Sequence, residues 1–139
     1  FLMLANHPSQ SGEILMPKCP FCTIDELRLT IKGTGFYVIQ DAFPVTEGHS
    51  LVIPYRHVSD AFELSQQEWT EVHELLYRAK EVLRASDPSI SGFNVGINVG
   101  ETAGQTVMHA HIHLIPRREG DVSQPRGGIR HLMPGKGNY

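Results

Sequence analysis

Three histidines alternate with apolar residues in the stretch Met108-His109-Ala110-His111-Ile112-His113-Leu114-Ile115-Pro116. In an extended strand successive side chains point to opposite faces, so the three imidazoles are expected to form one row on one face. The other face takes the intervening side chains, which we expect to point into a core: Met108, Ala110, Ile112 and Leu114. The stretch therefore predicts a half-buried strand with a site on its second face.

Imidazole rings are a poor choice for a merely solvated strand face. Three of them side by side would repel one another when protonated, and their charge changes near neutral pH. Neutral imidazoles suit two tasks, which are metal binding and nucleophilic or proton-transfer chemistry. The row therefore indicates a functional site, and the residues around it have to distinguish between these tasks.

The size and charge of the chain limit the class of molecule on which this site is expected to act. A chain of 139 residues with a formal net charge of −3 is long enough for one well-buried domain. It is not basic enough to coat nucleic acid or an anionic membrane. No apolar run approaches the roughly 18 residues that cross a bilayer, and Phe1–Ala5 is too short and lacks the basic flank of a secretory signal. We therefore expect a cytoplasmic protein that acts on small molecules, without a nucleic-acid or membrane partner.

The only two cysteines of the chain form the motif Cys19-Pro20-Phe21-Cys22. This spacing is typical of a metal-binding pair or a redox dithiol, and inert thiols are the third alternative. The residues before Cys19 do not resemble the buried strand that precedes a thioredoxin-like redox helix. A structural zinc needs two more ligands, which histidines of the chain can supply. On the cysteines alone, the three alternatives stay open.

Two short strands and one long helix precede the histidine row. Phe36–Gln40 and Gly48–Pro54 are rich in β-branched and aromatic residues, are bounded by turn residues and are expected to pair antiparallel. Ser65 and Glu68 form a capping box before a helix that runs to about Ala85. Apolar residues recur along it at steps of three and four, so one face of this helix is expected to cover the sheet.

A further strand is predicted at Gly92–Val99, which the glycine-rich loop Gly100–Gln105 joins to the histidine row. Together these elements predict an α+β domain with a mostly antiparallel sheet of about five strands and one long helix. We assign this domain to residues 16–116. Residues 1–15 are interpreted as a flexible arm or an expression remnant. Residues 117–139 form an irregular basic tail that either lies near an anion or stays mobile.

The loop Gly100–Gln105 runs directly into the histidine row. Its backbone N–H groups, with the side chains of Gln105 and Thr106, are placed to hold a phosphate beside the imidazoles. The chain has no GxxxxGK[ST] segment, so this loop is not a P-loop. An imidazole nucleophile opposite a phosphate-binding loop suggests covalent transfer of a nucleotidyl group through histidine.

Five segments of the chain, in this order, resemble the histidine triad family of nucleotide hydrolases and transferases. They are Asp41, Gly48–Pro54, Asn98–Gly100, Gly104–Val107 and His109–His113. The resemblance covers most of the chain, from about Cys19 to Pro116, and indicates the family without identifying a substrate. It implies the histidine triad fold and a homodimer whose two half-sheets join into one, with a phosphate-binding site in each subunit.

The resemblance also implies a role for each site residue. His111 is implied as the nucleophile that takes the nucleoside monophosphate before water releases it. His113 is implied to bind the phosphate or the scissile oxygen, and His49 to support the nucleophile from behind. The implied nucleotide contacts are Asn98, Gln105 and Thr106 to phosphate, Asp41 to the ribose hydroxyls and Ala42 to the base. From the residues alone, Asp41 is also explained as a turn residue.

Zinc-containing, bacterial-type members of this family use a CxxC pair, a histidine after the Val-Ile-Pro strand and the first triad histidine as ligands. Carried onto this chain, the implied ligands are Cys19, Cys22, His57 and His109. Four protein ligands leave no open position, so the implied zinc is structural and no catalytic metal is expected. This assignment leaves His111 and His113 for chemistry.

The third triad position bears on the reaction type. Relatives that act as transferases or phosphorylases commonly carry Gln there, whereas this chain has His113, so hydrolysis is favoured. Dinucleoside polyphosphates and nucleoside phosphoramidates are the candidate substrates. Three alternatives remain: a transferase or phosphorylase of the same family, a zinc-stabilised nucleotide-binding module without turnover, and a metallohydrolase with all three histidines on one metal. The last is disfavoured, because alternate residues of one strand rarely converge on one ion.

Overall fold

A five-stranded sheet and one helix make up most of the computed structural model, which describes residues 18–139. In chain order the elements are β1 (Leu29–Lys32), β2 (Phe36–Gln40), β3 (Ser50–Pro54), α1 (Gln66–Ser86), β4 (Ile90–Gly96) and β5 (Ile112–Arg118). Short 3-10 turns lie at Glu26–Arg28, Ala61–Glu63, Glu101–Ala103 and Gly128–Leu132. The strand order is β1-β2-β3-β5-β4, and all neighbouring pairs are antiparallel. The predicted α+β architecture is confirmed.

Strand β5 is the last strand in the chain, yet it pairs with a strand on each side. Its residue His113 lies opposite Leu51 of β3 and opposite Gly96 of β4. β2 and β3 pair over their full length, as predicted. The strand that carries the histidine row therefore lies inside the sheet and not at its edge.

The sheet separates two apolar clusters. On one side, α1 buries Val72, Leu75 and Ala79 against strand residues that include Phe36, Val38, Val52, Ile112 and Leu114. On the other side lies a smaller cluster of Tyr37, Ile39, Leu51 and Ile53, against which Phe21, Ile24 and Leu29 pack. Side chains alternate along β5, so the burial of Ile112 and Leu114 under the helix places His113 on the side of the smaller cluster.

Helix α1 begins where the capping box predicts. The Ser65 hydroxyl accepts the Glu68 N–H at 3.1 Å, and the Glu68 carboxylate accepts the Ser65 N–H at 2.8 Å. Arg56 donates to the same carboxylate at 2.7 Å. The Arg56 guanidinium, followed by the Ser65 N–H, lowers the pKa of Glu68 to about 2. The start of the helix is therefore fixed by two reciprocal hydrogen bonds and one ion pair.

The strand limits differ from the prediction at several places, of which three affect the description of the sheet most. β1 has only four residues, which is too short for its periodicity to stand out in the sequence. β4 ends at Gly96 and not at Val99, because the chain then turns into the loop that precedes β5. β5 continues through Arg117 and Arg118, which the prediction assigned to the tail.

The first part of the histidine row lies outside the strand ladder. The Ala110 N–H donates to the Val58 carbonyl at 2.8 Å, and regular pairing starts only at Ile112. The prediction that Met108 points into the core is therefore wrong, and its side chain is 44% exposed. Ala110, Ile112 and Leu114 are buried as predicted.

The tail after β5 consists of turns that lie against β4, β5 and the loop between β2 and β3. It includes the turn Gly128–Leu132, and the guanidinium groups of Arg126 and Arg130 lie 4.8 and 4.7 Å from the centre of the Tyr139 ring. Within residues 18–139, no helix has both the length and the apolar character needed to cross a bilayer. The interpretation of residues 1–15 falls outside the described residues.

Replacing Ser65 with Ala is expected to lower the free energy of unfolding by about 1 kcal/mol, because the Glu68 N–H loses its acceptor at the start of α1. Ser65→Asp keeps an acceptor at the cap and is expected to be close to the parent in stability. Chemical denaturation followed by circular dichroism measures both variants. Equal stability of Ser65→Ala and the parent would show that the capping box contributes nothing.

Candidate active site and metal centre

Three imidazoles meet on the sheet face opposite α1. His49 immediately precedes β3, and its Nε2 lies 2.9 Å from Nδ1 of His113 on β5. The ring centres of His111 and His113 are 5.2 Å apart. His49 and His111 are only 3% and 9% exposed, so the cluster is shielded from bulk water. The structure therefore brings together the three residues that the sequence predicts to be catalytic.

Burial favours the neutral form of two of these rings. It lowers the pKa of His113 to about 4, with a further contribution from the nearby rings of His111 and His49. It also lowers the pKa of His49, although the Asp41 carboxylate, 3.4 Å from His49 Nε2, acts in the opposite direction. At neutral pH each ring therefore carries one proton, and its hydrogen bonds determine which nitrogen holds it.

A backbone N–H sets the tautomers of both rings. Val45 donates to His49 Nδ1 at 3.1 Å, so that nitrogen is an acceptor and the proton of His49 lies on Nε2. This Nε2 in turn donates to Nδ1 of His113, which leaves the proton of His113 on its own Nε2. That Nε2 is buried and has no hydrogen-bond partner within residues 18–139. A buried donor without an acceptor is costly, so this N–H is suited to donate to an oxygen of water or of a ligand.

The chain itself orients His111. Its Nδ1 lies 2.8 Å from the backbone carbonyl oxygen of His109, and a carbonyl can only accept. In the neutral ring the proton is therefore on Nδ1, and Nε2 keeps its lone pair. The Phe21 ring packs edge-on against His111 and His109, with ring centres 5.2 and 5.9 Å away. A fixed imidazole with an unprotonated Nε2 is suited to attack an electrophilic phosphorus.

Beside this cluster lies a second one, formed by Cys19, Cys22, His57 and His109. The Nδ1 atoms of His57 and His109 are 3.1 Å apart. Cys22 Sγ lies 3.1 Å from the first of these atoms, and Cys19 Sγ lies 3.4 Å from the second. In a tetrahedral zinc site with thiolate and imidazole ligands, the ligand atoms are roughly 3.3 to 3.8 Å apart. The four residues predicted as zinc ligands are therefore together and spaced for one ion.

The chemistry of these four residues also fits a metal ion. His109 Nε2 lies 2.8 Å from the Pro54 carbonyl and donates to it, so His109 Nδ1 points a lone pair at the other ligand atoms. A hydrogen bond of this kind, from the nitrogen that faces away from the metal, is typical of metal-bound histidine. Two thiols and two imidazoles form a complete tetrahedral set without an open position. The site is therefore suited to a structural zinc.

Asp41 acts as a turn residue and also lies beside the histidines. Its Oδ1 accepts the Phe43 N–H at 2.9 Å, the hydrogen bond of a turn. Its Oδ2 lies 3.4 Å from His49 Nε2, and the side chain is half-buried next to the exposed Ala42. The turn role is present in the structure, and the contact with ribose stays a prediction.

The Gln105 side chain shapes the glycine-rich loop from inside. Its Oε1 accepts the Gly100 N–H at 2.8 Å, and its Nε2 donates to the carbonyls of Ser59 and Val107 at 2.6 and 3.0 Å. The side chain is buried and both of its N–H groups are engaged. This arrangement differs from the predicted phosphate contact, because a buried amide has to satisfy its own hydrogen bonds.

The outer side of this loop is open. Gly100 and Gly104 have φ angles of +88° and +92°, a region that favours glycine. Apart from the adjoining residues, no atom of residues 18–139 lies within 4 Å of where a Cβ would stand at either glycine. Thr106 is exposed and Asn98 is half-buried. The backbone of the loop can therefore be approached closely by a ligand.

Sequence reasoning missed two contributors to the site. Phe21 contacts both His109 and His111, and its position between the two cysteines was the available signal. Val45 acts through its backbone N–H, which no side-chain pattern reveals.

The chain is similar in sequence to a known protein family and to named proteins. A family model described as HIT domain matches residues 26–120. A Mycobacterium tuberculosis protein named AP-4-A phosphorylase is 34% identical over 114 residues, which cover 77% of this chain and 57% of that protein. A Schizosaccharomyces pombe protein named bis(5'-nucleosyl)-tetraphosphatase (asymmetrical) is 37% identical over 95 residues, which cover 68% and 52%. The matches thus span only about half the length of these two relatives.

One solved structure bears on the metal centre. The crystal structure of a zinc-bound histidine triad family protein from Mycobacterium smegmatis aligns with a TM-score of 0.62 at 35% identity. The alignment covers 67% of each chain. A protein of similar fold thus binds zinc, in keeping with the donor set described above.

We expect one zinc ion per chain at the four-residue cluster. His57→Ala removes one ligand and is expected to lower both the zinc content and the melting temperature. His73 is exposed on α1, so His73→Ala is the matched control and is expected to change neither. Elemental analysis and thermal unfolding provide the two measurements. A native protein that lacks zinc and has both thiols freely titratable would contradict the metal centre.

The low pKa of His113 predicts a pH dependence of stability. In the unfolded chain this imidazole takes up a proton near its ordinary pKa of 6.5, but in the folded protein only near 4. As the pH falls from about 6.5 to about 4, protons bind preferentially to the unfolded state and the free energy of unfolding decreases. This decrease is expected to be smaller in His113→Gln and unchanged in His73→Gln. Denaturant unfolding at a series of pH values tests this, and identical profiles for His113→Gln and the parent would contradict it.

Proposed function

The chain belongs to the HIT domain family, and from this premise we propose that it is a nucleotide hydrolase that works through a nucleotidyl-histidine intermediate and releases a nucleoside monophosphate. The observation that carries the proposal is the 2.8 Å hydrogen bond from His111 Nδ1 to the His109 carbonyl. This bond fixes the ring and leaves the Nε2 lone pair for attack on phosphorus. The substrates in question have a phosphoanhydride or a P–N bond next to a nucleoside monophosphate.

In the first step, His111 Nε2 attacks the α-phosphorus of the bound nucleotide. A bond forms between this nitrogen and phosphorus, the bond from phosphorus to the leaving group breaks, and its electron pair goes to the leaving oxygen or nitrogen. The buried Nε2–H of His113 lacks an acceptor and belongs to the same cluster, which supports a hydrogen bond from it to the phosphate or to the leaving atom. His49 supports His113 by keeping its proton on that nitrogen.

In the second step, water attacks the same phosphorus. The new bond is between the water oxygen and phosphorus, and the bond between phosphorus and His111 Nε2 breaks. The electron pair returns to Nε2, the proton of the attacking water passes to solvent, and the nucleoside monophosphate leaves. The free imidazole is thereby regenerated for the next cycle.

The nucleotide contacts come from segments around this cluster. We assign phosphate binding to Asn98, Thr106 and the open backbone of the glycine-rich loop, with Gln105 holding that loop in shape. We propose that Asp41, whose carboxylate lies next to His49, accepts hydrogen bonds from the ribose hydroxyls. The base is proposed to lie against Ala42.

The zinc centre and the subunit arrangement complete the proposal. Zinc bound by Cys19, Cys22, His57 and His109 supplies structural support and no chemistry, because its ligand set is complete.

The protein acts as a homodimer in this proposal. β4 lies at one edge of the described sheet, so its outer backbone groups are available to pair with a second copy.

Phosphorolysis is the second candidate reaction, because the relative from Mycobacterium tuberculosis is named AP-4-A phosphorylase. The two reactions share the first step and differ in what attacks the intermediate. With diadenosine tetraphosphate, water gives AMP and inorganic phosphate gives ADP. We favour water, because the third triad position is His113 and because the relative from Schizosaccharomyces pombe is named as a tetraphosphatase.

Removing the nucleophile tests the proposal. His111→Ala is expected to reduce AMP release from diadenosine tetraphosphate and adenosine phosphoramidate by at least about 10³-fold, while the fold, the zinc content and AMP binding are kept. His73→Ala is expected to match the parent. Chromatography of the products gives the rates, and comparable release by His111→Ala and the parent would refute the mechanism.

The same assay separates the alternatives. ADP formation that depends on added inorganic phosphate would assign phosphorolysis. If the parent turns over neither substrate but still binds AMP, the chain is a nucleotide-binding module.

A further inference from the structure

A cavity of about 680 Å³ lies beneath the tail, on the sheet face that carries the catalytic histidines. Its floor is formed by Asn94, Ile115 and Arg117, which alternate with the helix-facing residues of β4 and β5. The loop between β2 and β3 forms one wall through Val45 and Thr46. The tail forms the roof with Val122, Ile129 and Leu132. We refer to this space as the tail cavity.

The tail cavity is lined by residues that neighbour the catalytic cluster. Val45 on its wall is the residue whose N–H donates to His49 Nδ1. Ile115 on its floor is the next residue after His113 on the same face of β5, roughly 7 Å along the strand. The Thr46 hydroxyl donates to the Pro116 carbonyl at 2.8 Å and ties the wall to the floor. A group attached to a phosphate at His113 can therefore reach into the cavity.

The two arginines of the lining are already paired with carboxylates, and the lining also includes the carboxylate of Glu47. Arg117 donates twice to the Asp121 carboxylate, at 2.8 and 2.9 Å, and once to the Asn94 side chain at 2.7 Å. Arg118 pairs with Asp87 at 2.9 Å. Both guanidinium charges are thus paired with carboxylates of the described chain, which weakens their attraction for a phosphate. The lining therefore suits a neutral occupant better than an anionic one.

The composition of the lining indicates a partly apolar ligand. Four apolar side chains around the cavity are between 48% and 72% exposed: Val45, Val122, Ile129 and Leu132. Apolar side chains gathered in this way mark a binding site more often than a bare surface. Asn94 and His131 add polar groups to the lining, and apolar walls with a few polar groups are typical of small-molecule pockets. A nucleobase, with apolar faces and a polar edge, matches this lining.

We propose that the tail cavity binds the second nucleoside of a dinucleoside polyphosphate, which departs with the leaving phosphate chain. This inference rests on the proposed function, which places the first nucleoside at Asp41 and its phosphate at His111. Neither residue lines the cavity, so the two nucleosides occupy separate places. The tail thereby favours substrates with a second nucleoside over smaller nucleotides.

A carboxylate placed in the roof tests the assignment. Ile129 and Leu132 are exposed, so Ile129→Glu and Leu132→Glu are expected to fold normally. The expected result is a fall of about tenfold in kcat/KM for diadenosine tetraphosphate, with no change for adenosine phosphoramidate, which has no second nucleoside. Val82→Glu makes the same change at an exposed position of α1 and is expected to alter neither value.

Two results would overturn the proposal. The first is an equal effect of the roof variants on both substrates, including no effect on either. The second is a change in the molar mass of the variants by light scattering, because the roof would then be a contact between two copies of the chain.

A binding measurement separates this inference from the proposed function. Adenosine titrated into the parent protein is expected to shift the NMR signals of the Asn94 amide and His131, and Ile129→Glu is expected to abolish these shifts. Neither observation needs turnover. Shifts confined to the surroundings of Asp41 would overturn the tail cavity as a nucleoside site and leave the proposed function standing. Shifts at the cavity in a protein without turnover would support the cavity and refute the proposed function.

Discussion

The hydrogen bond between His111 Nδ1 and the carbonyl oxygen of His109 connects the parts of this molecule. His109 is fixed by its own bond to Pro54 and by its place in the four-residue metal cluster. Its carbonyl direction is therefore set by the core, and His111 takes its orientation from that carbonyl. The core, the Cys19–Cys22–His57–His109 cluster and the orientation of His111 thus depend on one short stretch of backbone, so a disturbance of the cysteine cluster is expected to reach His111 through the chain from His109.

Burial and hydrogen bonding make the two flanking imidazoles different from the central one. His49 and His113 lose affinity for protons because they are removed from water, and the Val45 N–H then fixes which nitrogen holds the remaining proton. His111 is fixed by an acceptor and not by a donor, so its proton lies on the opposite ring nitrogen from that of His113. The same side chain therefore presents a lone pair at one position and an N–H at the next.

Local pattern predicted most of the fold, and the resemblance to the histidine triad family implied the membership of both clusters. The Ser65 cap and the β2–β3 pair follow from residues close in sequence. The predicted zinc ligands came from the resemblance, because relatives place their ligands at matching positions along the chain. Long-range packing decided the rest. Met108 is exposed because the backbone before β5 forms a hydrogen bond to Val58. The Gln105 side chain donates its N–H groups to the carbonyls of Ser59 and Val107. The contribution of Val45 comes from its main chain and has no signature in side-chain chemistry.

The order of the strands also determines when the site can exist. β5 is made last but lies between β3 and β4, so a growing chain that has not yet reached Arg118 leaves both of those strands with an open edge. Long-range antiparallel pairing of this kind forms slowly compared with local hairpins and helices. The position of β5 between β3 and β4 completes the sheet, and this one strand both buries Ile112 and Leu114 under α1 and brings His113 to His49. A partly synthesised chain that lacks β5 therefore carries His49 without the His113 neighbour that the completed sheet gives it.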